Sequence, residues 1–268
     1  MTHTPASNLA DLTRFALTLA EAAGRAILPH FRQNTPIDIK PGEHWDPVTE
    51  GDRAGERAIR HLIEKHHPSH GILGEEFGTT LGTSGLRWIL DPVDGTRAFV
   101  IGLPTWATLI ALYDGDTPLL GVMYQPFVDD LYYGSGAGSF QRHAGQERQI
   151  RVKATAGLAA AMVGTTAPHL YKDRDGAGFA ALQQRVQTTR FGLDCYSFAL
   201  LAAGSLDIAM DPVLQIYDIA ALVPIMRGAG AAVGSWTDNN PALGGNVLCA
   251  TSEALLDEAR SVMVQSSR

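Results

Sequence analysis

Two carboxylates lie three residues apart directly after an apolar run. The run WIL at 88–90 has the large apolar residues of a short buried strand, and DPVDGT follows it at 91–96. Pro92 fixes φ and cannot continue a strand ladder, so the sequence predicts a turn at Asp91. The carboxylates of Asp91 and Asp94 would then face one small volume, where they repel each other unless a cation lies between them. The chemistry indicated is a metal site.

The next two residues are suited to an anion. Gly95 allows close backbone approach, and Thr96 supplies a hydroxyl and a backbone N–H at a predicted helix start. The pattern therefore predicts a phosphate-binding cradle at Gly95 and Thr96 beside the metal. Asp, Pro and Gly also dominate ordinary turns, so the spacing alone leaves open that Asp91 and Asp94 are turn and helix-cap residues.

The segment WILDPVDGT resembles the metal-binding signature of the inositol monophosphatase superfamily. Three further segments of that superfamily occur in the expected order, namely DPVTEGD at 46–52, GILGEEFG at 71–78 and YDIAALVPIMRGAGA at 217–231. The resemblance extends from the first predicted helix to about Ala250. It implies an α/β (α+β) fold, the layered αβαβα sandwich of the inositol monophosphatase/fructose-bisphosphatase type, which residue patterns alone do not specify.

Composition narrows the class of protein. The 268 residues are 45% hydrophobic and 18% charged, as in an ordinary globular enzyme, and the net charge is −7. Scattered Lys and Arg argue against a nucleic-acid-binding surface. The two cysteines, Cys195 and Cys249, form no zinc or disulfide pattern. No apolar run reaches the roughly 18 residues of a membrane span, and the first residues do not read as a secretory signal, so we expect a cytoplasmic protein.

Hydrophobic periodicity predicts the elements of the first half. They are a long amphipathic helix over 8–31 capped by Ser7, a loop over 33–48, a second helix behind a capping box of Thr49 and Asp52, and an antiparallel meander of strands at 107–113, 119–124 and 131–134. The region 135–160 is polar and rich in glycine. A boundary near residue 155 would separate an N-terminal subdomain (1–155), with most metal ligands, from a C-terminal one (156–268) that contributes Asp218 and the substrate pocket.

The second half alternates between strands and helices, which is typical of a sheet covered by helices on both sides. The predicted elements are a strand at 161–165, a helix at 177–186, a strand at 187–191, a helix at 194–203, a strand at 206–210, a helix at 217–228, strands at 231–236 and 246–250, and a helix at 252–264.

Carboxylate-rich oxygen sites favour Mg²⁺, with Mn²⁺ as the alternative ion. The resemblance implies two or three ions per subunit. Glu75, Asp91 and the carbonyl of Val93 would hold the first, and Asp91, Asp94 and Asp218 the second. A third, weaker ion would bind near Glu75. Without the resemblance, Asp218 would be read as a helix cap, because an acidic residue commonly opens a helix.

By the same resemblance, Asp52 and Thr96 form the catalytic pair that orients a water molecule and takes its proton. A capping-box role for Asp52 is compatible with this, and the alternative for Thr96 is a helix N-cap. Glu76 follows Glu75, and in an extended backbone its side chain would lie on the opposite face.

The segments RFGLDCYS at 190–197, AAG at 202–204 and YDIAALVPI at 217–225 look like the histidinol-phosphatase branch of the superfamily. Histidinol phosphate carries an ammonium and an imidazole, so carboxylates suit its pocket. The predicted substrate-binding residues are Asp194, Tyr196 and Asp211, although Asp194 could instead cap a helix. Departures from the branch pattern bear on substrate choice more than on metal binding; they are Leu193, Arg227 and Ala231.

The function that the resemblance implies is that of a Mg²⁺-dependent phosphomonoesterase that hydrolyses L-histidinol phosphate in histidine biosynthesis. The alternatives are an inositol-1-phosphate phosphatase, a 3′-phosphonucleotide phosphatase, or a metal-binding relative without turnover. We expect a small phosphorylated substrate and no nucleic-acid or membrane partner. The resemblance also implies a homodimer.

Overall fold

Helices form both outer layers and the middle layer of the molecule, and a sheet lies in each of the two spaces between them. The computed structural model describes residues 6–33, 36–40 and 45–265. The helices are α1 Ala6–Ile27, α2 Glu50–His66, α3 Thr96–Ile101, α4 Asp173–Gln183, α5 Tyr196–Ala202, α6 Ile216–Ile219, α7 Leu222–Gly228 and α8 Glu253–Gln265. The strands are β1 Ile37–Ile39, β2 Pro47–Thr49, β3 Gly71–Gly74, β4 Gly78–Thr80, β5 Leu86–Asp94, β6 Ala107–Asp114, β7 Thr117–Gln125, β8 Asp130–Ser135, β9 Gly138–His143, β10 Gln146–Ile150, β11 Met162–Gly164, β12 Thr188–Arg190, β13 Ile208–Leu214, β14 Ala232–Gly234 and β15 Gly245–Ala250.

The larger sheet has eight strands in the order β10-β9-β8-β7-β6-β5-β3-β4, and the smaller has five in the order β12-β11-β13-β15-β14. All neighbours in the larger sheet are antiparallel except β3 and β5, which are parallel. This confirms the predicted meander and extends it, because β9 and β10 lie in the region that was predicted only to be polar and glycine-rich.

Three apolar clusters join these layers. Helices α1 and α2 pack on the outer face of the larger sheet, around Leu19, Ile59 and Trp88. Helices α5 and α7 fill the space between the sheets, where Phe198 and Ile225 are buried. Helices α4 and α8 cover the outer face of the smaller sheet. The αβαβα order predicted from the resemblance is confirmed.

Strand β5 does not end in a turn at Asp91, so that prediction is wrong. The strand continues through Pro92, with a register shift between Asp91 and Asp94. Asp91 pairs with Leu109 and Asp94 with Ala107, so three steps on β5 match two on β6. Such a bulge inserts one residue and frees a backbone N–H from the ladder, so a proline is tolerated there. In a regular strand residues i and i+3 point to opposite faces. The bulge brings both carboxylates to the same face.

The predicted helix at 217–228 is two helices, α6 and α7, separated at Ala220 and Ala221. Pro224 explains the interruption, since it lacks an N–H and its ring clashes with the carbonyl four residues earlier, that of Ala220. Proline is tolerated in a first turn, so α7 begins just before it.

The loop prediction for 33–48 is only partly correct. Strand β1 pairs antiparallel with β2, so residues 37–39 and 47–48 are extended and hydrogen-bonded; residues 34–35 and 41–44 lie outside the described part of the chain. Helix α1 begins at Ala6, so Ser7 lies within it and is not its cap.

The last strand of the larger sheet ends at Ile150 and the first of the smaller sheet begins at Met162. The boundary near residue 155, between subdomains 1–155 and 156–268, stays a prediction. Among the described residues, no helix has both the length and the apolar character needed to span a bilayer.

Candidate active site

Three aspartates from distant parts of the chain meet at the bulge of β5. One carboxylate oxygen from each of Asp91, Asp94 and Asp218 lies within 4.8 Å of the others. Asp91 is buried, with 2% of its surface exposed, and the other two are half-buried. The Asp91 carboxylate also accepts a hydrogen bond from the N–H of Val93 at 3.0 Å, which orients it. This is the trio predicted to hold the second ion.

Asp218 has two roles at once. Its Oδ2 accepts a 2.7 Å hydrogen bond from the N–H of Gln215, completing a capping box at the start of α6. The same carboxylate belongs to the aspartate cluster. The cap therefore holds the carboxylate in place, and the cap interpretation is compatible with the predicted ligand role.

Glu75 approaches the cluster from the end of β3. The Glu75 charge is one of the causes, after burial, that raise the pKa of Asp91, so the two carboxylates are neighbours. Its Oε1 accepts a 2.6 Å hydrogen bond from Nζ of Lys40, which also donates to Glu76 at 2.8 Å. The expectation that Glu76 faces away is wrong, because residues 75–77 form a turn rather than an extended strand. Both carboxylates reach one ammonium group.

The donor set suits a hard divalent cation. Burial and the neighbouring carboxylates raise the pKa of Asp91, and burial and Asp218 raise the pKa of Asp94. Burial, partly offset by the Gln215 N–H, raises the pKa of Asp218 to about 7. Carboxylates held this close remain ionised together only when positive charge is supplied, and all of the oxygen donors are of the kind that Mg²⁺ and Mn²⁺ prefer.

These shifts predict how the stability of metal-free protein depends on pH. Asp211 and Asp218 have pKa values of about 7 in the folded chain, raised mainly by burial, against about 4 in the unfolded chain. The folded protein therefore binds more protons between pH 4 and 7, and its stability should fall as pH rises through this window. A shift of one pKa unit is about 1.4 kcal/mol. In EDTA, we expect a melting temperature several degrees lower at pH 8 than at pH 5.5.

Differential scanning calorimetry across this range measures the effect. Saturating Mg²⁺ should remove most of the fall in melting temperature towards pH 8, because the cation replaces the protons. In the metal-free protein, Asp211→Asn should remove part of that fall. A metal-free melting temperature that rises towards pH 8 would contradict the assignment.

Asp52 and Thr96 are in contact, as their predicted roles require. Asp52 Oδ2 accepts hydrogen bonds from the Thr49 N–H at 2.8 Å and the Thr49 hydroxyl at 2.6 Å, which confirms the capping box. Its Oδ1 lies 3.3 Å from Thr96 Oγ1. The Thr96 hydroxyl is also 3.0 Å from the Val93 carbonyl oxygen, so its single proton has two acceptors. Gly95 is the N-cap of α3 and Thr96 its first helical residue, so Thr96 is not the cap.

A cavity of about 770 Å³ opens in front of the cluster. Most of the predicted site residues line it, namely Glu75, Asp91, Val93, Asp94, Gly95, Thr96, Asp194, Asp211 and Asp218. Gly95 has a φ of +81°, and a Cβ on it would stand 3.3 Å from the Asp194 carboxyl group. Glycine at this position lets the Asp194 side chain lie against the turn.

Asp194 joins the two halves of the site. It has a φ of +48°, and the N–H of the next residue, Cys195, donates to Asp94 Oδ2 at 2.9 Å. Helix α5 begins after Cys195 without a side-chain cap, so the helix-cap interpretation of Asp194 is wrong. Its Oδ2 is 3.5 Å from the Thr105 hydroxyl. Burial raises the pKa of Asp194 to about 6, which leaves it mostly ionised at neutral pH.

The other two predicted pocket residues differ from Asp194. Asp211 lines the cavity, but its oxygens accept hydrogen bonds from the Thr165 hydroxyl at 2.8 Å and from the N–H and hydroxyl of Thr166 at 2.8 and 3.0 Å. Tyr196 does not lie among the residues lining the cavity, and its ring packs edge-on against Tyr132. The placement of Tyr196 in the substrate pocket therefore needs correction.

A repeated tripeptide could have directed attention to the cavity wall. Asp-Pro-Val occurs at 46–48, 91–93 and 211–213, and all three copies contribute to the lining. The copy at 211–213 also spans a register shift in its strand, and Val213 has a φ of +57°. No local sequence pattern pointed to Lys40 as a site residue, because Lys40 follows a short strand that the sequence did not predict.

Comparison with known proteins agrees with this geometry. Residues 8–267 match the inositol monophosphatase family. The bifunctional phosphatase IMPL2 of Arabidopsis thaliana is 36% identical over 85% of this chain and 66% of its own length. The histidinol-phosphatase of Mycobacterium tuberculosis is 35% identical over 92% of this chain and 96% of its own.

A solved inositol monophosphatase from Zymomonas mobilis superposes with a TM-score of 0.84 at 33% identity, covering 97% of this chain and all of that one. The family match over residues 8–267 spans both sheets and every element that contributes to the aspartate cluster. The chain belongs to the inositol monophosphatase family of metal-dependent phosphatases and is a phosphomonoesterase.

Proposed function

We propose that this phosphatase hydrolyses L-histidinol phosphate in a Mg²⁺-dependent reaction, as a step of histidine biosynthesis. The observation that carries the proposal is the Asp194 carboxylate, which lies in the cavity against Gly95 and next to the aspartate cluster. The relative from M. tuberculosis is named a histidinol-phosphatase, which supports the same substrate.

The chain's own groups divide the work. Asp91, Asp94 and Asp218 would hold one ion, and Glu75, Asp91 and the Val93 carbonyl another. The ions, when bound, supply positive charge that lowers the pKa of water and neutralises the phosphoryl group. Thr96 Oγ1 would orient the attacking water and accept its proton, while the Thr96 hydroxyl passes its own proton to Asp52 Oδ1 over the 3.3 Å contact between them. The N–H groups of Gly95 and Thr96 donate to phosphoryl oxygens.

The leaving group distinguishes the candidate substrates. Histidinol presents an ammonium group, whereas inositol presents neutral hydroxyls. The Asp194 carboxylate has one hydrogen-bond donor among the described side chains, Thr105 at 3.5 Å, which leaves acceptor capacity for an ammonium. Asp211 is already bonded to Thr165 and Thr166 and shapes the wall instead. The proposal therefore assigns the ammonium to Asp194.

This assignment predicts a substrate preference and its loss. L-Histidinol phosphate should show a kcat/KM about tenfold to a hundredfold above that of myo-inositol 1-phosphate, because a hydrogen bond to a charged group is worth roughly 1.5–3 kcal/mol. Asp194→Asn should erode the preference and leave hydrolysis of an aryl phosphate such as p-nitrophenyl phosphate largely intact. Phosphate release with Mg²⁺, measured for all three substrates, tests this.

Asp116→Asn is the matched control, since it removes the same charge from an exposed turn. It should leave the preference unchanged. Equal or better turnover of myo-inositol 1-phosphate by the parent protein would move the assignment to an inositol-1-phosphate phosphatase, and preference for a 3′-phosphonucleotide would move it to that class. No hydrolysis of any of them would favour a relative without turnover.

The proposal includes three further features. The family suggests two or three ions per subunit and a homodimer, the oxygen donor set admits Mn²⁺ as the alternative ion, and the sequence favours a cytoplasmic location. Light scattering on purified protein would measure the oligomeric state, and metal analysis after dialysis would count the ions.

A further inference from the structure

Helix α2 carries a second buried carboxylate, one turn after Asp52. Glu56 has none of its surface exposed, and residues four apart share one face of a helix. The side chain points towards the turn that follows β3. Its Oε2 accepts a 2.8 Å hydrogen bond from the Glu76 N–H, and its Oε1 accepts one from the Phe77 N–H at 3.2 Å. These are the two amides that follow Glu75.

Glu56 also contacts the residue before Glu75. A Cβ built on Gly74 would stand 1.9 Å from Glu56 Oε1, so only glycine leaves room for the carboxylate. The N–H of Glu75 itself donates to the Leu90 carbonyl of β5 at 3.2 Å. The backbone that presents Glu75 is therefore fixed on one side by the strand leading to Asp91 and on the other by Glu56.

An arginine on the same helix completes the arrangement. Arg60 Nε donates to Glu56 Oε1 at 2.7 Å, and its two terminal nitrogens donate to the Thr80 hydroxyl at 3.0 Å and to the Gly78 carbonyl. A buried ion pair is on average no more stabilising than apolar side chains of similar volume. Glu56 and Arg60, however, make directional hydrogen bonds to the main chain around Glu75, which apolar side chains could not make.

We infer that Glu56, held by Arg60, is a positioning residue for Glu75 and sets the affinity of the metal site to which Glu75 belongs. Helix α2 then carries both the proposed base, Asp52, and the support of a metal ligand, so it couples the two parts of the site. The inference rests on the proposed ligand role of Glu75. It does not depend on the substrate.

Metal binding without substrate tests the inference. Glu56→Gln keeps the size of the side chain but turns an NH₂ group towards one of the two backbone N–H groups whose hydrogen bonds the carboxylate accepts. Loss of a group that orients a ligand typically costs 10- to 100-fold in metal affinity. Mn²⁺ binding is titrated by the electron paramagnetic resonance signal of the free ion. Glu56→Gln should show this 10- to 100-fold loss of affinity at the same site whose affinity Glu75→Gln lowers. The double variant should be no weaker than Glu75→Gln alone.

Two further variants separate positioning from folding. Arg60→Lys keeps a positive charge beside Glu56 but loses the hydrogen bonds to Thr80 and Gly78. It should weaken Mn²⁺ binding in the same direction as Glu56→Gln but by a smaller factor. This variant tests the inference if Glu56→Gln does not fold. Glu64→Gln changes an exposed glutamate of the same helix and should bind Mn²⁺ normally. Melting temperatures are recorded for each.

The inference is overturned if Glu56→Gln and Arg60→Lys fold and bind Mn²⁺ within about twofold of the parent while Glu75→Gln binds it more weakly. It is also overturned if Glu56→Gln weakens binding further in the Glu75→Gln background. If Glu75→Gln binds Mn²⁺ normally, the proposed ligand set fails and the inference fails with it. The substrate preference assigned to Asp194 stands or falls separately.

Discussion

Asp94→Asn is expected to lower kcat at least about a hundredfold while the metal-free protein stays as stable as the parent or becomes more stable. A catalytic metal ion supplies several kcal/mol of charge stabilisation, and each 1.36 kcal/mol is a factor of ten in rate. Asparagine can still accept the hydrogen bond that the Cys195 N–H donates to Asp94 Oδ2 at 2.9 Å. The substitution removes one negative charge from a cluster in which burial and Asp218 raise the pKa of Asp94.

Phosphate release at saturating Mg²⁺ and calorimetry in EDTA measure the two parts of this prediction. Asp114→Asn, at the end of β6 and outside the cavity lining, serves as the control and should keep full turnover. The ligand assignment fails if Asp94→Asn turns over at a near-normal rate, or if its metal-free form melts well below that of the parent.

Asp52→Asn is expected to cost about 10² to 10⁴ in kcat with little change in KM, since general base catalysis contributes on that order. The asparagine oxygen can still accept from the N–H and hydroxyl of Thr49, so the start of α2 remains capped. The substitution replaces Asp52 Oδ1, which lies 3.3 Å from Thr96 Oγ1, with an amide nitrogen. This nitrogen is a donor and cannot take a proton. Steady-state kinetics on an aryl phosphate measures the loss.

Thr49→Ala provides the contrast. It removes the hydroxyl that caps α2 and should destabilise the protein by about 0.5–2 kcal/mol, but it leaves Asp52 Oδ1 in place. Its kcat should therefore remain within a few-fold of the parent. If Thr49→Ala lost as much turnover as Asp52→Asn, the role of Asp52 would be structural rather than catalytic.

Local patterns predicted the capping box and the alternation of the second half because each depends on residues close together in sequence. They failed at β5, where Pro92 indicated a turn and the structure has a bulged strand. Register depends on the neighbouring strand β6, and no local signal reports it. They failed again at α6 and α7, where apolar spacing continued across Pro224 although the helical hydrogen bonds could not.

Some contacts around the site could not be read from the sequence at all. Lys40 reaches Glu75 from 35 residues away, and Glu56 supports the turn after Glu75 from a helix that ends before β3 begins. Both carry charges of the kind normally found on the surface. Only the packing of α2 and of the segment after β1 against β3 buries Glu56, half-buries Lys40 and gives both side chains their partners.

The sequence by itself determined the types of groups at this site and the order in which the chain supplies them, because oxygen donors, a glycine and a threonine in DPVDGT have the same chemistry in any fold. Tertiary structure decided which of them meet. A one-residue bulge aligned Asp91 with Asp94, the capping box of α6 delivered Asp218 from 124 residues beyond Asp94, and the left-handed backbone at Asp194 turned its carboxylate onto Gly95. The bulge depends on the pairing of β5 with β6, and the positions of Asp218 and Asp194 at the site depend on contacts between segments that are distant in sequence, which no local pattern encodes.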